Sequence, residues 1–301
     1  MSRIFSNGKL LLTSEYVVLD GALALALPTK LGQEFFFETL ENRSNHMIWE
    51  AQHLGQPWLR TVIDYKKWLV LETNLKEPAD FVLQILKNCE HLGSDRFVDG
   101  ASYHLKTNLE FPPDFGLGSS STLMVNLATW AGVDAFLLNE KSLGGSGYDV
   151  AVALEKSPIL YQLEKGKRFV EKINFQPLFS DELIFIHLNQ KQNSREGILH
   201  YRKTPKSKEV IEKFNTITKE VLGCKQIDEF QNLMTEHEAI LSTLLSLPTV
   251  KERLFPDCPS FVKSLGAWGG DFVLTSKFDG YQTYFQTRGY RQIFFYSGII
   301  D

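Results

Sequence analysis

The chain has 301 residues, 43% hydrophobic and 23% charged, a composition that suits one large or two ordinary globular cores and excludes a disordered or low-complexity protein. Its 36 acidic residues outnumber the 32 lysines and arginines, for a formal net charge of −4. Nothing global therefore draws it to nucleic acid or an anionic membrane, and any anion site has to be local. No stretch approaches the roughly 18 apolar residues that span a bilayer, and the first nine residues lack a signal-peptide core, so the expected location is cytoplasmic. Cys89, Cys224 and Cys258 are widely spaced and show neither disulfide nor zinc spacing.

Residues 9–27 read as two short apolar strands, broken by a polar turn near 13–15 and by Asp20-Gly21. Strand character continues at 33–40 and 47–51, with a turn over 41–45 between them. Phe81, Val82, Ile85 and Leu86 follow helical spacing across 78–92, and 101–109 alternates as a strand. After a glycine-rich stretch the pattern predicts a helix over 121–138, a short helix over 149–154, and strands over 159–163 and 183–188. Two long amphipathic helices, about 206–222 and 227–247, precede a second glycine-rich segment at 263–271 and a final strand–helix–strand unit. Strands giving way to long helices imply an α+β protein with a boundary near residue 180.

Three segments carry chemistry. In Glu110-Phe-Pro-Pro-Asp-Phe-Gly-Leu-Gly-Ser-Ser-Ser-Thr122, Gly116 and Gly118 clear side chains from a backbone that must approach a ligand. Ser119, Ser120 and Ser121 set hydroxyls beside the free amides of a helix start, which together make an anion nest suited to a polyphosphate. A serine-capped helix after a glycine turn is the plain alternative, and no Walker lysine follows. In Leu143-Gly-Gly-Ser-Gly-Tyr-Asp-Val-Ala151, Asp149 projects from a tightly turned backbone, placed to accept or orient a hydroxyl proton. It equally suits the first turn of a helix. Lys263-Ser-Leu-Gly-Ala-Trp-Gly-Gly-Asp-Phe272 is a second glycine loop whose amides can close over an anion, or a plain hairpin. Lys9 beside Gly8 offers a charge for a transferred phosphoryl group.

The order of these segments resembles the GHMP kinases, the family of galactokinase, homoserine kinase, mevalonate kinase and phosphomevalonate kinase. Gly8-Lys9 through Glu15-Tyr16 to Gly21 resembles its N-terminal motif, residues 113–121 its ATP loop, 145–149 its catalytic-aspartate segment and 266–271 its C-terminal glycine motif. The likeness covers most of the chain, and Glu15-Tyr16 with the Gly-Gly-Asp of 269–271 is closer to phosphomevalonate kinases than to galactokinases.

The resemblance implies that Pro113, Gly116, Leu117, Gly118, Ser119, Ser120 and Ser121 bind ATP, that Ser120 contributes to Mg²⁺, that Asp149 is the base or hydroxyl-orienting group and that Lys9 offsets developing charge. It implies a substrate side formed by Glu15, Tyr16, Lys191, Ser194 and Arg195 together with Gly266, Ala267, Gly269, Gly270 and Asp271. The chain departs from the family at Thr13 and Ser14, where relatives carry glycine or a small residue, and at Trp268, which replaces a glycine. The interval from Ser120 to Asp149 is also short, so that Glu140 is the nearest stand-in for a glutamate that holds Mg²⁺.

The resemblance further implies a ribosomal-protein-S5-domain-2-like domain over 1–180 and a ferredoxin-like domain over 181–301, with ATP between them. The reaction implied is transfer of the γ-phosphoryl group to mevalonate or phosphomevalonate, with a small acidic substrate as partner, no nucleic acid or membrane, and a monomer or homodimer. The rivals are a kinase for another hydroxy acid or sugar, and a nucleotide-binding regulator without catalysis.

Overall fold

Apolar and aromatic runs over 33–40 and 47–51 and the alternation over 101–109 all favour strands, and strands form there. The structure, a computed structural model, describes residues 1–190, 194–266 and 268–301, without the side chains of Ser194 and Arg195. Two compact units interleave along the chain. The first is Met1–Gly8, Leu31–Pro113 and Leu117–Lys156; the second is Lys9–Lys30, Asp114–Gly116 and Ser157–Asp301. Residue 180 lies inside the second unit.

The first unit takes up most of β1 (Ser2–Leu11) and of β2 (Ala24–Leu40), then β3 (His46–His53), β4 (Gln56–Asp64), β5 (Leu69–Thr73), α1 (Lys76–His91), β6 (Ser102–Leu109), α2 (Ser119–Ala131), α3 (Ala135–Ser142) and α4 (Tyr148–Glu155). Its strands run in the order β5-β4-β3-β6-β2, with β1 also on β2, and β3 and β6 are parallel. One sheet face, carrying Phe35, Trp49 and Leu105, packs against Ile85 of α1 and Leu127 and Trp130 of α2 in a single core. Trp130 is 1% exposed and meets the rings of Tyr103, Phe97 and Phe35 at 5.3, 6.2 and 6.4 Å. The helix expected over 121–138 is two helices. Gly132 ends α2 at φ 71°, and the Asp134 carboxylate accepts the Leu137 N–H at 2.8 Å to start α3.

The second unit holds β7 (Ile159–Glu164) and β8 (Lys167–Lys172), with Tyr161 of β7 registered on Ala24 of β2. It continues through β9 (Leu183–His187), α5 (Ser194–Arg202), α6 (Lys208–Gly223), α7 (Ile227–Leu245), α8 (Val250–Leu254), β10 (Lys263–Leu265), β11 (Phe272–Ser276), α9 (Tyr281–Thr287), β12 (Ile293–Phe295) and α10 (Tyr296–Ile299). The last four strands lie in the order β10-β11-β9-β12, antiparallel throughout. Counted from β9, with α6 and α7 in the first crossover and α9 in the second, this is the βαββαβ order of a ferredoxin-like fold, and the α+β class expected from the sequence holds. One expected strand does not form. Residues Val17–Asp20 wind into a 3₁₀ turn that Gly21 closes at φ 91°. Its Val17 and Val18 are buried, and Val17 joins Tyr16 and Ala22 in a core with Phe214 and Leu241.

Candidate active site

The loop that opens α2 is built around its two glycines. Gly116 has φ 68° and Gly118 φ 89°, backbone that an L side chain resists. Gly118 is the N-cap and offers no side chain, so the amides of Ser119, Ser120 and Ser121 meet no capping group, and the first intrahelical bond is Thr122 N–H to the Gly118 carbonyl. The Ser121 hydroxyl turns inward and donates to the Gly118 carbonyl at 2.9 Å, whereas Ser120 is exposed. An uncapped start of a 13-residue helix carries unpaired donors and the positive end of its dipole, the elementary anion site of proteins.

The tip of the loop, Asp114–Gly116, belongs to the second unit, and three contacts there hold it. The Phe115 ring lies 4.4 Å from His187 and 5.5 Å from Phe272. The Lys9 ammonium donates to the Gly116 carbonyl at 2.8 Å. A Cβ on Gly116 would stand 1.9 Å from Asp271 Oδ2, and one on Gly266 would stand 2.7 Å from the same oxygen. Asp271 thus sits against two glycine backbones, a packing that explains the glycines at 116 and 266 by space as well as by φ.

Asp149 lies in the first turn of α4, half-buried, and its Oδ1 accepts the N–H of Val150 at 3.0 Å. Gly144, Gly145 and Gly147 have φ of 75°, 100° and 87°, so the turn read from three glycines in four positions is real. Like α2, α4 starts at a left-handed glycine without a side-chain cap, and the two helices pack on each other within the first unit. Both segments therefore open helices that pack together. Among the described residues no group of three or more His, Cys, Asp or Glu side chains is arranged to hold a metal ion. Ser120 and Glu140, the latter exposed on α3, are the oxygen donors named from the sequence. Hydroxyl and carboxylate oxygens are donors that suit a hard Mg²⁺, an ion that keeps several waters, so these two residues would serve it as partial ligands.

Glu15 and Tyr16 are buried, 3% and 8% exposed. The Lys263 ammonium donates to Glu15 Oε1 at 2.5 Å and lies 3.2 Å from Glu238 Oε1, while His237 Nε2 stands 3.3 Å from Glu15 Oε2. Burial, opposed by Lys263, pushes the Glu15 carboxyl up to about 7; burial also raises Glu238 and holds His237 well below the ordinary imidazole range. Burial works against the Lys263 cation, but Glu15 and Glu238 outweigh it and its pKa is raised. The Tyr16 hydroxyl accepts the Trp268 N–H at 2.7 Å, and its ring stacks on Tyr201 at 5.7 Å. Trp268, 9% exposed, joins the same core as Tyr16, Tyr201 and Phe214.

Gly266, Gly269 and Gly270 all have positive φ. Lys191 and Ala267 lie outside the described residues, as do the side chains of Ser194 and Arg195 at the start of α5. Trp49 is core at 1% exposed, and Trp58 is exposed. Sequence reasoning missed Phe115, His237 and Glu238. The last two had a signal, because Phe230, Met234, His237, Glu238 and Leu241 share the buried face of α7, and a charged pair on an apolar face calls for a buried partner.

No protein-family model matches the chain, and no curated protein matches it by sequence. Solved structures do. The mevalonate kinase of Methanococcus jannaschii superposes with a TM-score of 0.67 at 16% identity, covering 97% of this chain and 96% of that one. Streptococcus pneumoniae phosphomevalonate kinase, in complex with phosphomevalonate and AMPPNP, gives 0.65 at 16%, covering 99% and 98%. Lactococcus lactis galactokinase, complexed with galactose, gives 0.67 at 14%, covering 97% and 92%. The chain therefore has, over nearly its whole length, the fold that these GHMP kinases share.

Proposed function

We propose that the protein is an ATP-dependent small-molecule kinase that transfers the γ-phosphoryl group to an oxygen of mevalonate or phosphomevalonate. The observation that carries the reading is the uncapped start of α2, opened by two left-handed glycines, on a helix that packs against the one bearing Asp149, in a chain with the fold of several such kinases. In this reading the amides of Ser119, Ser120 and Ser121 hold phosphate oxygens, and the Ser120 hydroxyl and Glu140 are the residues that would hold the metal. Mg²⁺ supplies charge neutralisation on the phosphates when bound. Asp149 orients the acceptor hydroxyl and takes its proton, and Lys9, anchored on the Gly116 carbonyl, fixes the loop and sets a positive charge at its tip. Catalysis by such a site is mostly positioning and electrostatics. An acidic acceptor is preferred to a sugar because the galactokinase signature is missing from the sequence.

The test is ATP consumption by the purified chain with Mg²⁺ and a panel of mevalonate, phosphomevalonate and galactose. Turnover with one of the two acids supports the reading. Turnover with galactose alone overturns the choice of acceptor, and ATP binding without turnover on a wide panel of hydroxy acids and sugars overturns the enzyme.

A further inference from the structure

A cluster of four ionisable groups lies buried in the second unit, and the chemistry proposed above gives none of them a step, although the resemblance sets Glu15 on the substrate side. Glu15, His237, Glu238 and Lys263 are each at most 3% exposed. Lys263 comes from β10, and His237 and Glu238 come from α7; α6, packed on the same corner, brings Phe214, Asn215 and Thr218. Lys263 donates to Glu15 Oε1 and to the Ser264 carbonyl, and pairs with Glu238 Oε1 without hydrogen-bond geometry. The Ser264 backbone also bears on the Glu238 carboxyl, and Glu15 Oε2 faces His237 Nε2 at 3.3 Å.

The charges do not balance. One ammonium faces two carboxylates, and the imidazole cannot make up the difference. His237 Nε2 accepts the Ser14 N–H at 2.8 Å, so the ring carries its single hydrogen on Nδ1. A second ring proton would break the bond to Ser14. A net negative charge buried this deeply is strongly disfavoured, and a proton on one carboxyl group removes it.

The same groups hold a strained corner. Ser14 and Tyr16 both have positive φ, 67° and 63°, without being glycine. His237 accepts from the Ser14 backbone, the Ser14 hydroxyl donates to the Leu23 carbonyl at 2.6 Å, and Tyr16 is fixed by Trp268 N–H and Tyr201.

We propose that Glu15, Glu238 and Lys263 form a proton-binding positioning site, in which the two carboxyl groups share one proton and that proton keeps the 14–16 corner, and Tyr16 with it, in place. Loss of the proton leaves one uncompensated negative charge beside the corner. Glu15, pushed up to about 7 by burial against the pull of Lys263, places that loss near neutral pH. The proposal is independent of the kinase reading, because what it predicts is a protonation state.

Infrared spectroscopy of the full-length protein across pH 5.5–9 tests it, since only a protonated carboxylic acid gives the acid C=O stretch and ordinary surface carboxylates are ionised there. The wild-type band should fade with a midpoint near pH 7, and the ring resonances of isotope-labelled Tyr16 should shift with the same midpoint. Glu238→Gln leaves one carboxylate facing one ammonium, so it should lose both the band and the Tyr16 titration, as should Glu15→Gln. Absence of the band in the wild type at pH 6, its persistence in Glu238→Gln, or a Tyr16 signal that ignores pH would each overturn the proposal. The wild-type titration decides it even where a variant fails to fold.

Discussion

Alanine at Gly116 is the sharpest perturbation this structure offers. The residue sits at φ 68°, and its new Cβ would stand 1.9 Å from Asp271 Oδ2. The left-handed backbone alone costs an L residue roughly 1–2 kcal/mol. Relief of the clash has to move either Asp271 or the loop, and moving the loop breaks the Lys9 ammonium bond to the Gly116 carbonyl, a charged hydrogen bond contributing about 1.5–3 kcal/mol. Together these give a loss of about 2.5–5 kcal/mol of unfolding free energy, read from urea denaturation with an unchanged slope. Gly93→Ala is the control: φ there is 89° but no atom lies within 4 Å of the added Cβ, so only the backbone term of about 1–2 kcal/mol applies. If Gly116→Ala is no worse than Gly93→Ala, the packing of Asp271 and Lys9 on the loop is not what requires the glycine.

Three more outcomes are expected. Asp149→Asn should abolish turnover while a nucleotide analogue binds nearly as before in calorimetry; a variant that keeps a tenth of the wild-type rate removes Asp149 from the chemistry. Trp130→Ala, which empties the ring cluster of the first unit, should cost about 3–5 kcal/mol in denaturant unfolding. The pH dependence of stability has a definite sign. Because Glu15 is raised from 4.5 to about 7 in the fold, the unfolded chain releases this proton first, so its contribution is fully present below pH 4.5 and is lost as pH rises to about 7. At about 1.4 kcal/mol per pH unit across that span the loss is roughly 3 kcal/mol. His237, held neutral by burial, works the other way: the unfolded ring takes up a proton below about 6.5, so its contribution grows as pH rises through that value. Unfolding of wild type minus Glu15→Gln, measured from pH 4.5 to 8.5, isolates the carboxyl; a pH-independent difference refutes the assignment.

Much of this was legible in the sequence because it is local. Positive φ and a free helix start are written in Gly116, Gly118 and the glycines of 144–147, and the alternation over 101–109 fixes a strand face without reference to the rest of the fold. What escaped is non-local. Lys263 and Glu15 meet across 248 positions, and no spacing rule connects a lysine ahead of one glycine motif with a glutamate in another. Phe115 read as one more apolar residue of a loop, and only the fold supplies the rings of His187 and Phe272 beneath it. The run from Tyr16 to Leu19 has strand composition, but tertiary packing of Tyr16 and Val17 on Phe214 and Leu241 overrides that propensity. The long helix expected over 121–138 failed at Gly132, where a left-handed cap outweighed the continuing apolar spacing.

The interleaving of the two units has a consequence for how the protein is made. As the chain emerges during synthesis, residues 9–30 appear well ahead of residues 157–301, with which they form one unit. The corner at 14–16 must wait for His237 and Lys263, which reach Ser14 and Glu15 from far along the chain. Such sequence-distant closure is slow. A fragment that starts at Ser157 would bury Lys263 and Glu238 with no Glu15, and one that stops before α7 would leave the corner unsupported. Neither unit can be obtained by cutting the chain once.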